Sequence, residues 1–486
     1  MDSLRSKEVR SSLARAGKVL LYSVVLLAAA LVDCRPATAL PAFARKYGMP
    51  CSSCHEAWPM LSPFGQQFKD NGYQMGNDRD APIFQQAAYW PVTFRITPIW
   101  HRESTSAAAV DGSNGFSGNE AKVTTQGFDL SGLDFHTGGT LANNFSFYVL
   151  PSSDPTASFH FESVWARLDN VFGTPWINIK LGKFELDNLL SEKRILTLTN
   201  VGGVYENYHF QPFSRPGVPE NYTFGIGDNQ LGLEWLGHSA DDRTRVSAAL
   251  LSQNDGQPNL PTSRGYGGFF TASRAFEIGS LGLQRVGAFA YLGMAPTYYQ
   301  YDVTSTTPIG MDSVTGAPIY APTAGVPGTG IGNKGFQRYG LLGMWYIKKF
   351  DITTIYFRGH DSAWLGTDTP AIPGAVLPQG AQAPTWNGAL FESHYMFNPQ
   401  IILINRYELV RMSQQAFGSA AAIPNPGNLG NADVLTFGAR YYPFISSRAG
   451  FAYHAEYSII WQKGASPVTF SNLATSSLLF GFDFDF

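Results

Sequence analysis

The sequence predicts an all-β fold, a closed sixteen-stranded transmembrane barrel preceded by a small helical segment, and three observations predict it. From about Trp90 onward the chain is a succession of short period-two segments, rich in aromatic and β-branched residues and separated by Gly, Pro, Asn and Asp, with little helical periodicity. The last segment places Leu478, Phe480, Phe482, Phe484 and Phe486 on one face and Gly481, Asp483 and Asp485 on the other, one face suited to lipid and the other to water. The connections then alternate in length. Strand starts fall near Val92, Gly127, Phe145, Ser158, Trp176, Asn229, Arg243, Gly265, Arg285, Lys334, Phe350, Thr385, Asn398, Val434, Ala449 and Thr475, an even count of sixteen. Odd-numbered strands are followed by long tracts, near 102–126, 186–228, 297–333, 359–384 and 412–432. Even-numbered ones are followed by short turns such as Leu141-Ala142-Asn143-Asn144, Ile347-Lys348-Lys349 and Phe397-Asn398-Pro399. Long loops outside and short turns inside are how outer-membrane barrels are built, so the expected barrel is porin-like and spans 89–486, with both its termini in the periplasm. Sixteen strands leave an aqueous lumen.

The same alternation recurs in Ile177, Ile179 and Leu181 against Asn178, Lys180 and Gly182. It recurs again in Leu231, Leu233 and Trp235 against Gly232 and Glu234. Composition agrees. Of 486 residues 44% are hydrophobic, only 15% are charged, against roughly 25% in an average soluble domain, and glycines number 50. The 34 basic and 37 acidic residues leave no basic excess, which argues against a nucleic-acid partner. A mean hydropathy of -0.10 excludes a bundle of membrane helices, and three cysteines are too few for a disulfide scaffold.

Residues 1–39 read as a secretory signal peptide: Arg5, Lys7, Arg10, Arg15 and Lys18 precede the uncharged run Val19 to Val32, and Ala37-Thr38-Ala39 is a small-x-small cleavage site. The apolar run is shorter than the roughly 20 residues of a spanning helix. Cys34 follows Asp33 rather than a small neutral residue, and is read as discarded with the signal. The segment removed holds six basic and three acidic groups, so 28 basic and 34 acidic residues remain, a net charge of -6. An exported chain with a barrel is expected in the outer membrane of a Gram-negative bacterium, in contact with its lipid.

Only Cys51 and Cys54 then remain, in Cys51-Ser52-Ser53-Cys54-His55, the attachment signature of a c-type haem. Two thiols three residues apart on one helical turn reach the two vinyl groups, and His55 presents an imidazole to the iron as proximal ligand. A redox dithiol, a short-loop disulfide and a zinc half-site compete. The first wants a βαβ surround, zinc wants two further ligands at short spacing, and neither requires His55. One covalent haem c is therefore expected on a segment spanning 40–88. For the sixth ligand, Met49 and Met60 are too near the motif to cross to the other haem face, whereas Met75 lies twenty residues past His55. Met75 is the first choice; the alternatives are that it packs beside Tyr73 and that the ligand is a histidine from elsewhere or a water. The other histidines, at 101, 136, 160, 209, 238, 360, 394 and 454, show no metal-ligand spacing and read as wall or loop residues. No nucleotide loop, zinc-protease motif or nucleophile elbow is present.

Around the motif stand Pro41-Ala42-Phe43-Ala44-Arg45, Pro59-Met60-Leu61-Ser62-Pro63-Phe64-Gly65 and Phe68-Lys69-Asp70-Asn71-Gly72-Tyr73. This stretch resembles the outer-membrane monohaem cytochrome-porin fusions of iron-oxidising bacteria. The close match covers about residues 41–75, and the barrel matches only in length, strand pattern and aromatic C-terminus. The resemblance implies an Fe(II):cytochrome c type oxidoreductase that takes electrons from extracellular Fe(II) and passes them to a periplasmic carrier, a cytochrome c or a blue-copper protein. Its haem-binding residues carry over onto Cys51, Cys54 and His55; no iron-site residues do. Two alternatives are an outward conduit to an extracellular acceptor and a solute porin with a redox-sensing haem plug.

Overall fold

The structure is a computed structural model and describes residues 43, 46–47, 49, 51–57, 60–75, 92–114, 117–153, 158–187, 229–252, 266–297, 308–311, 318–320, 332–361, 385–398, 400–412, 432–445, 450–462 and 471–485. The expected signal peptide, Cys34, His209 and Phe486 lie outside the described residues.

The N-terminal segment holds a single helical turn, α1 (Cys51–Cys54), a small hairpin of β1 (His55–Ala57) and β2 (Met60–Leu61), and a two-turn helix, α2 (Pro63–Asp70). It is thus mixed rather than purely helical, because His55 leaves α1 directly into β1 and pairs with Leu61. The barrel follows in two runs. The first is β3 (Val92–Asn114), β4 (Ser117–Ala142), β5 (Phe145–Ser153), β6 (Phe159–Leu168), β7 (Asn178–Glu185), β8 (Asn229–His238), β9 (Thr244–Ser252), β10 (Tyr266–Glu277) and β11 (Leu283–Thr297). A separate hairpin, β12 (Pro308–Met311) with β13 (Pro318–Tyr320), interrupts the long tract 297–333. The second run is β14 (Gly332–Ile347), β15 (Phe350–Asp361), β16 (Thr385–Asn398), β17 (Ile401–Met412), β18 (Ala432–Ile445), β19 (Gly450–Gln462) and β20 (Leu473–Asp485).

These two runs form one closed barrel of sixteen antiparallel strands, each paired with its sequence neighbours, and β20 closes on β3 with Thr475 opposite Thr105 and Asp485 opposite Arg95. Closure is what lets strands cross lipid, since every ladder N–H and C=O finds a partner and no edge is left. No described helix is long and apolar enough to cross a membrane; the chain crosses with strands. The alternation assigns faces as the sequence predicts. Lys180, Glu234, Asp483 and Asp485 are buried on the inner side, while Leu181, Leu233, Trp235 and Phe480 are exposed on the outer side. At the closing seam Arg95 lies 3.4 Å from Asp483, and Thr97 donates a 2.9 Å hydrogen bond to the same carboxylate. This is a barrel of the outer-membrane type, with an apolar belt facing lipid and a charged lumen.

One expectation is corrected. The tract 102–126 is not a loop: β3 runs on to Asn114 and β4 begins at Ser117 rather than near Gly127, forming a long two-stranded ribbon. Its residues are small, polar and proline-free, so the ladder continues into water with pairs such as Ser104 and Thr124, whose hydroxyls are 2.9 Å apart. A strand wet on both faces lacks the apolar alternation by which the others are found. The remaining starts agree to within three residues.

Replacing Leu233 by Arg sets a charge on the lipid face and is expected to destabilise the barrel by about 2–4 kcal/mol if it lies near the bilayer centre. Urea unfolding in lipid vesicles measures this; an unchanged midpoint would place Leu233 outside the hydrocarbon.

Candidate functional site

The N-terminal segment lies inside the barrel at the end where the even-numbered strands turn. Its local fold follows from its sequence. Ser62 caps α2, accepting a 3.1 Å hydrogen bond from the Gly65 N–H, and Pro63 occupies the first helical position, where its missing N–H costs nothing. The Ser62 hydroxyl donates to the Ser53 carbonyl at 3.1 Å, and the Ser62 N–H donates to the Cys54 carbonyl at 2.9 Å, tying α2 to α1. The contact is so close that a Cβ on Gly65 would stand 1.9 Å from the Cys54 carbonyl oxygen. Only glycine permits it.

At the other end α2 stops in a Schellman motif: the Tyr73 N–H donates to the Phe68 carbonyl and the Gly72 N–H to that of Lys69. Gly72 adopts φ 76°, and a Cβ there would lie 2.8 Å from the Asp169 carboxylate. The Tyr73 and Phe68 rings, which accompany this motif, are 5.8 Å apart. Phe43 stacks on Tyr73 at 4.8 Å, and Tyr73 stacks in turn on Trp165 of the wall at 6.1 Å and on Tyr148 at 6.4 Å. Burial pushes the Tyr73 phenol well above its ordinary pKa, so it stays neutral.

Charges fix the orientation. Asp70 pairs with Arg245 of β9 at 2.9 Å, and Lys69 pairs with Glu185 of β7 at 3.1 Å. Arg167 of β6 donates to the Lys69 carbonyl at 2.9 Å while its Nε holds Asp169 at 2.6 Å, so a guanidinium neutralises the carbonyl end of α2. Burial alone raises the Asp70 carboxyl, but Arg245, His238, Lys69 and Arg167 outweigh it and hold the group below the usual carboxylate range. Arg245 also pairs with Asp242 in the turn 239–243.

The sequence-predicted residues fall as follows. Cys51 and Cys54 open and close α1, and His55 begins β1. Cys54 is half-buried, and burial raises its thiol above its ordinary pKa. As a donor set for a c-type haem the arrangement fits: two cysteines separated by one helical turn, with an imidazole directly after. Met75 is half-buried against the core that holds Tyr73. Among the described histidines, His136, His238, His394 and His454 stand beside carboxylates of Asp134, Asp242, Glu392 and Asp483, the wall and turn positions expected of them. No described group of three His, Cys, Asp or Glu residues has the form of a metal site. Sequence reading missed the docking residues Asp70, Arg167 and Arg245. Their separation of about a hundred residues or more leaves no local signal, although inward placement of Arg167 and Arg245 is legible from strand parity.

No protein-family model matches the chain, and neither does any curated protein. Among solved structures it is similar to a loop-deletion form of the outer-membrane protein OmpT of Vibrio cholerae, at 10% identity and TM-score 0.46 over 82% of this chain and 100% of that one. It is also similar to an anion-selective porin from Comamonas acidovorans, at 11% and 0.46 over 81% and 98%. A third is the outer-membrane channel DcaP of Acinetobacter baumannii, at 7% and 0.42 over 82% and 99%.

Asp70→Asn is expected to loosen the segment by about 1–3 kcal/mol, because the charged bond from the segment to Arg245 is lost and the guanidinium keeps only Asp242 of the wall; faster proteolysis within 40–75, with the barrel intact, would register it. The pH dependence follows in sign. The folded carboxyl is lowered, so its stabilisation is complete above the ordinary value of roughly 4 and is lost as pH falls through the folded value. Protection at pH 5 should equal that at pH 7 and fall only in stronger acid. Gly65→Ala is expected to push α2 off α1 and speed proteolysis within 40–75 severalfold while the barrel stays intact.

Proposed function

We propose that this barrel carries one covalent haem c on its internal segment and moves electrons across the outer membrane, oxidising extracellular Fe(II) and passing electrons to a periplasmic carrier. The observation that carries the reading is the placement of Cys51-Ser52-Ser53-Cys54-His55, as one helical turn followed by a strand, on a segment docked within the barrel at its short-turn end. Cys51 and Cys54 would hold the group through thioethers, with His55 as proximal iron ligand and Met75 as candidate distal ligand. Bound there, the haem would supply a one-electron couple. The chain's own residues do the rest. Gly65 and Ser62 fix the attachment turn, Asp70, Lys69 and Arg167 hold the segment against the wall, and the Tyr73, Tyr148 and Trp165 rings exclude water behind it. Placement beside the periplasmic turns favours handover to a periplasmic cytochrome c or blue-copper protein. Fe(II) as donor rests on the resemblance of residues 41–75.

A second reading, a porin whose haem segment is a redox-sensing plug, is favoured by the charged lumen wall and by a segment anchored through ion pairs. In a third, electrons flow outward to an extracellular acceptor.

The detergent-purified, haem-loaded protein is mixed anaerobically with Fe(II), and reduced-haem absorption bands are expected to appear. In a His55→Ala variant that keeps covalent haem, the rate should fall by at least tenfold. Bands that appear with dithionite but not with Fe(II) would reject iron as donor, and planar-bilayer conductance that changes on reduction would favour the gated porin.

A further inference from the structure

The outer face of β14–β17 changes character toward the end where the long tracts lie. Nearer the short turns the outward residues of these strands are apolar, as Leu341, Ile352, Phe391 and Leu403 show. Farther along come the rings of Tyr339, Tyr356 and Tyr407, an aromatic girdle, and with them Arg358 and His360, both exposed. The ladder sets Arg358 between Tyr339 of β14 and Asn387 of β16, and His360 between Gln337 and Thr385. Tyr356 donates a 2.9 Å hydrogen bond to the side-chain carbonyl of Asn387, and Tyr339 donates to that of Gln337 at 3.3 Å. Each amide thus has its oxygen occupied and keeps its NH2 group as a donor. Among the described residues of β14–β18 the only carboxylate on this face is Asp433, which Arg411 and Tyr407 hold at 2.7 and 2.5 Å. No described residue hydrogen-bonds to the Arg358 side chain or pairs with it.

We propose that this rim binds a phosphate of the phosphorylated glycolipid that forms the outer leaflet of the membrane, with Arg358 as the binding cation and the Asn387 and Gln337 amides as donors beside it. Donors whose acceptors are already taken select an anion, and a guanidinium grips a phosphate through two parallel hydrogen bonds. Asp433 does not compete for Arg358. It stands three strands from β15, roughly 14 Å by strand spacing, and is held by Arg411. The direction of the side chains selects a lipid as the source of the anion. They leave the barrel on the side that faces hydrocarbon, at the end away from the short turns, and there a charge on the outer face costs little. The long stem of Arg358 lies along apolar surface and carries its head to the level of the headgroups. Haem plays no part in this contact.

The test titrates the full-length protein in detergent with diphosphoryl lipid A, the phosphorylated anchor of that glycolipid, and reads binding by native mass spectrometry. The wild-type protein is expected to bind it at least tenfold more tightly than the fully dephosphorylated lipid, and Arg358→Gln to lose that preference. Asn387→Ala removes a donor and no charge, and should weaken binding severalfold, which a mere excess of positive charge would not produce. Arg243→Gln removes an equal charge from the short-turn end, where Arg243 pairs with Glu277 at 2.6 Å, and is expected to bind as the wild type does. Should Arg358→Gln fail to fold, Arg358→Lys decides: it keeps the charge, lacks the fork, and is expected to bind severalfold more weakly. Wild-type affinity in the Arg358 variants, or an equal loss in Arg243→Gln, overturns the inference. So does equally tight binding of phosphatidylglycerol, which would make the rim a site for any anionic lipid. A dimer or trimer that dissociates in Arg358→Gln with lipid A binding unchanged would give this face to a second copy of the chain and overturn it too.

Discussion

The structure depends on closure of the strand ladder. Within hydrocarbon an unpaired peptide group costs several kcal/mol, so a sheet crosses a membrane only when its first and last strands meet. Here β20 meets β3, and the residues that make the seam also make the lumen: Asp483 and Asp485 of β20 approach Arg95 of β3. Alternation follows from closure, because a strand with lipid on one side and lumen on the other must change polarity at every residue. Low charge content on the outer face and a dense set of buried charges on the inner face are two consequences of one geometry.

A lumen lined with fixed charge must be hydrated or filled with something polar enough to answer it. The N-terminal segment answers part of it. Lys69 and Asp70 face Glu185 and Arg245, and Arg167 reaches the carbonyl end of α2, so the end of one short helix meets three wall strands with complementary charge. Aromatic stacking of Phe43 and Tyr73 on Trp165 and Tyr148 supplies the apolar half of the contact. A buried pair of this kind is stabilising chiefly against loss of one partner, and it sets orientation more than it adds net energy. That orientation fixes which end of the segment faces the short turns.

The barrel was largely legible in the sequence because its periodicity is imposed by solvent. Phe480 and Asp483, Leu181 and Lys180, and Trp235 and Glu234 could be assigned to faces from parity alone, and the structure places each on the face expected. The ribbon of β3 and β4 was not legible, since beyond the membrane both of its faces meet water and the alternation that marks a strand is gone. The haem reading of Cys51, Cys54 and His55 rests on their spacing in the sequence, and the structure adds only that they form one helical turn and the start of a strand. Gly65 and Gly72 stood in view without their reasons, which lie in a carbonyl of α1 and a carboxylate of the turn after β6.

By itself, then, the sequence determined the barrel class, the number of strands and the faces that inner and outer side chains take, all of which depend on neighbours within a few positions. Only the tertiary structure decided that the N-terminal segment lies inside the barrel and which charges hold it there. Those facts depend on groups brought together across up to two hundred residues by the closing of the ladder, and no local pattern records which inward-facing residues will meet.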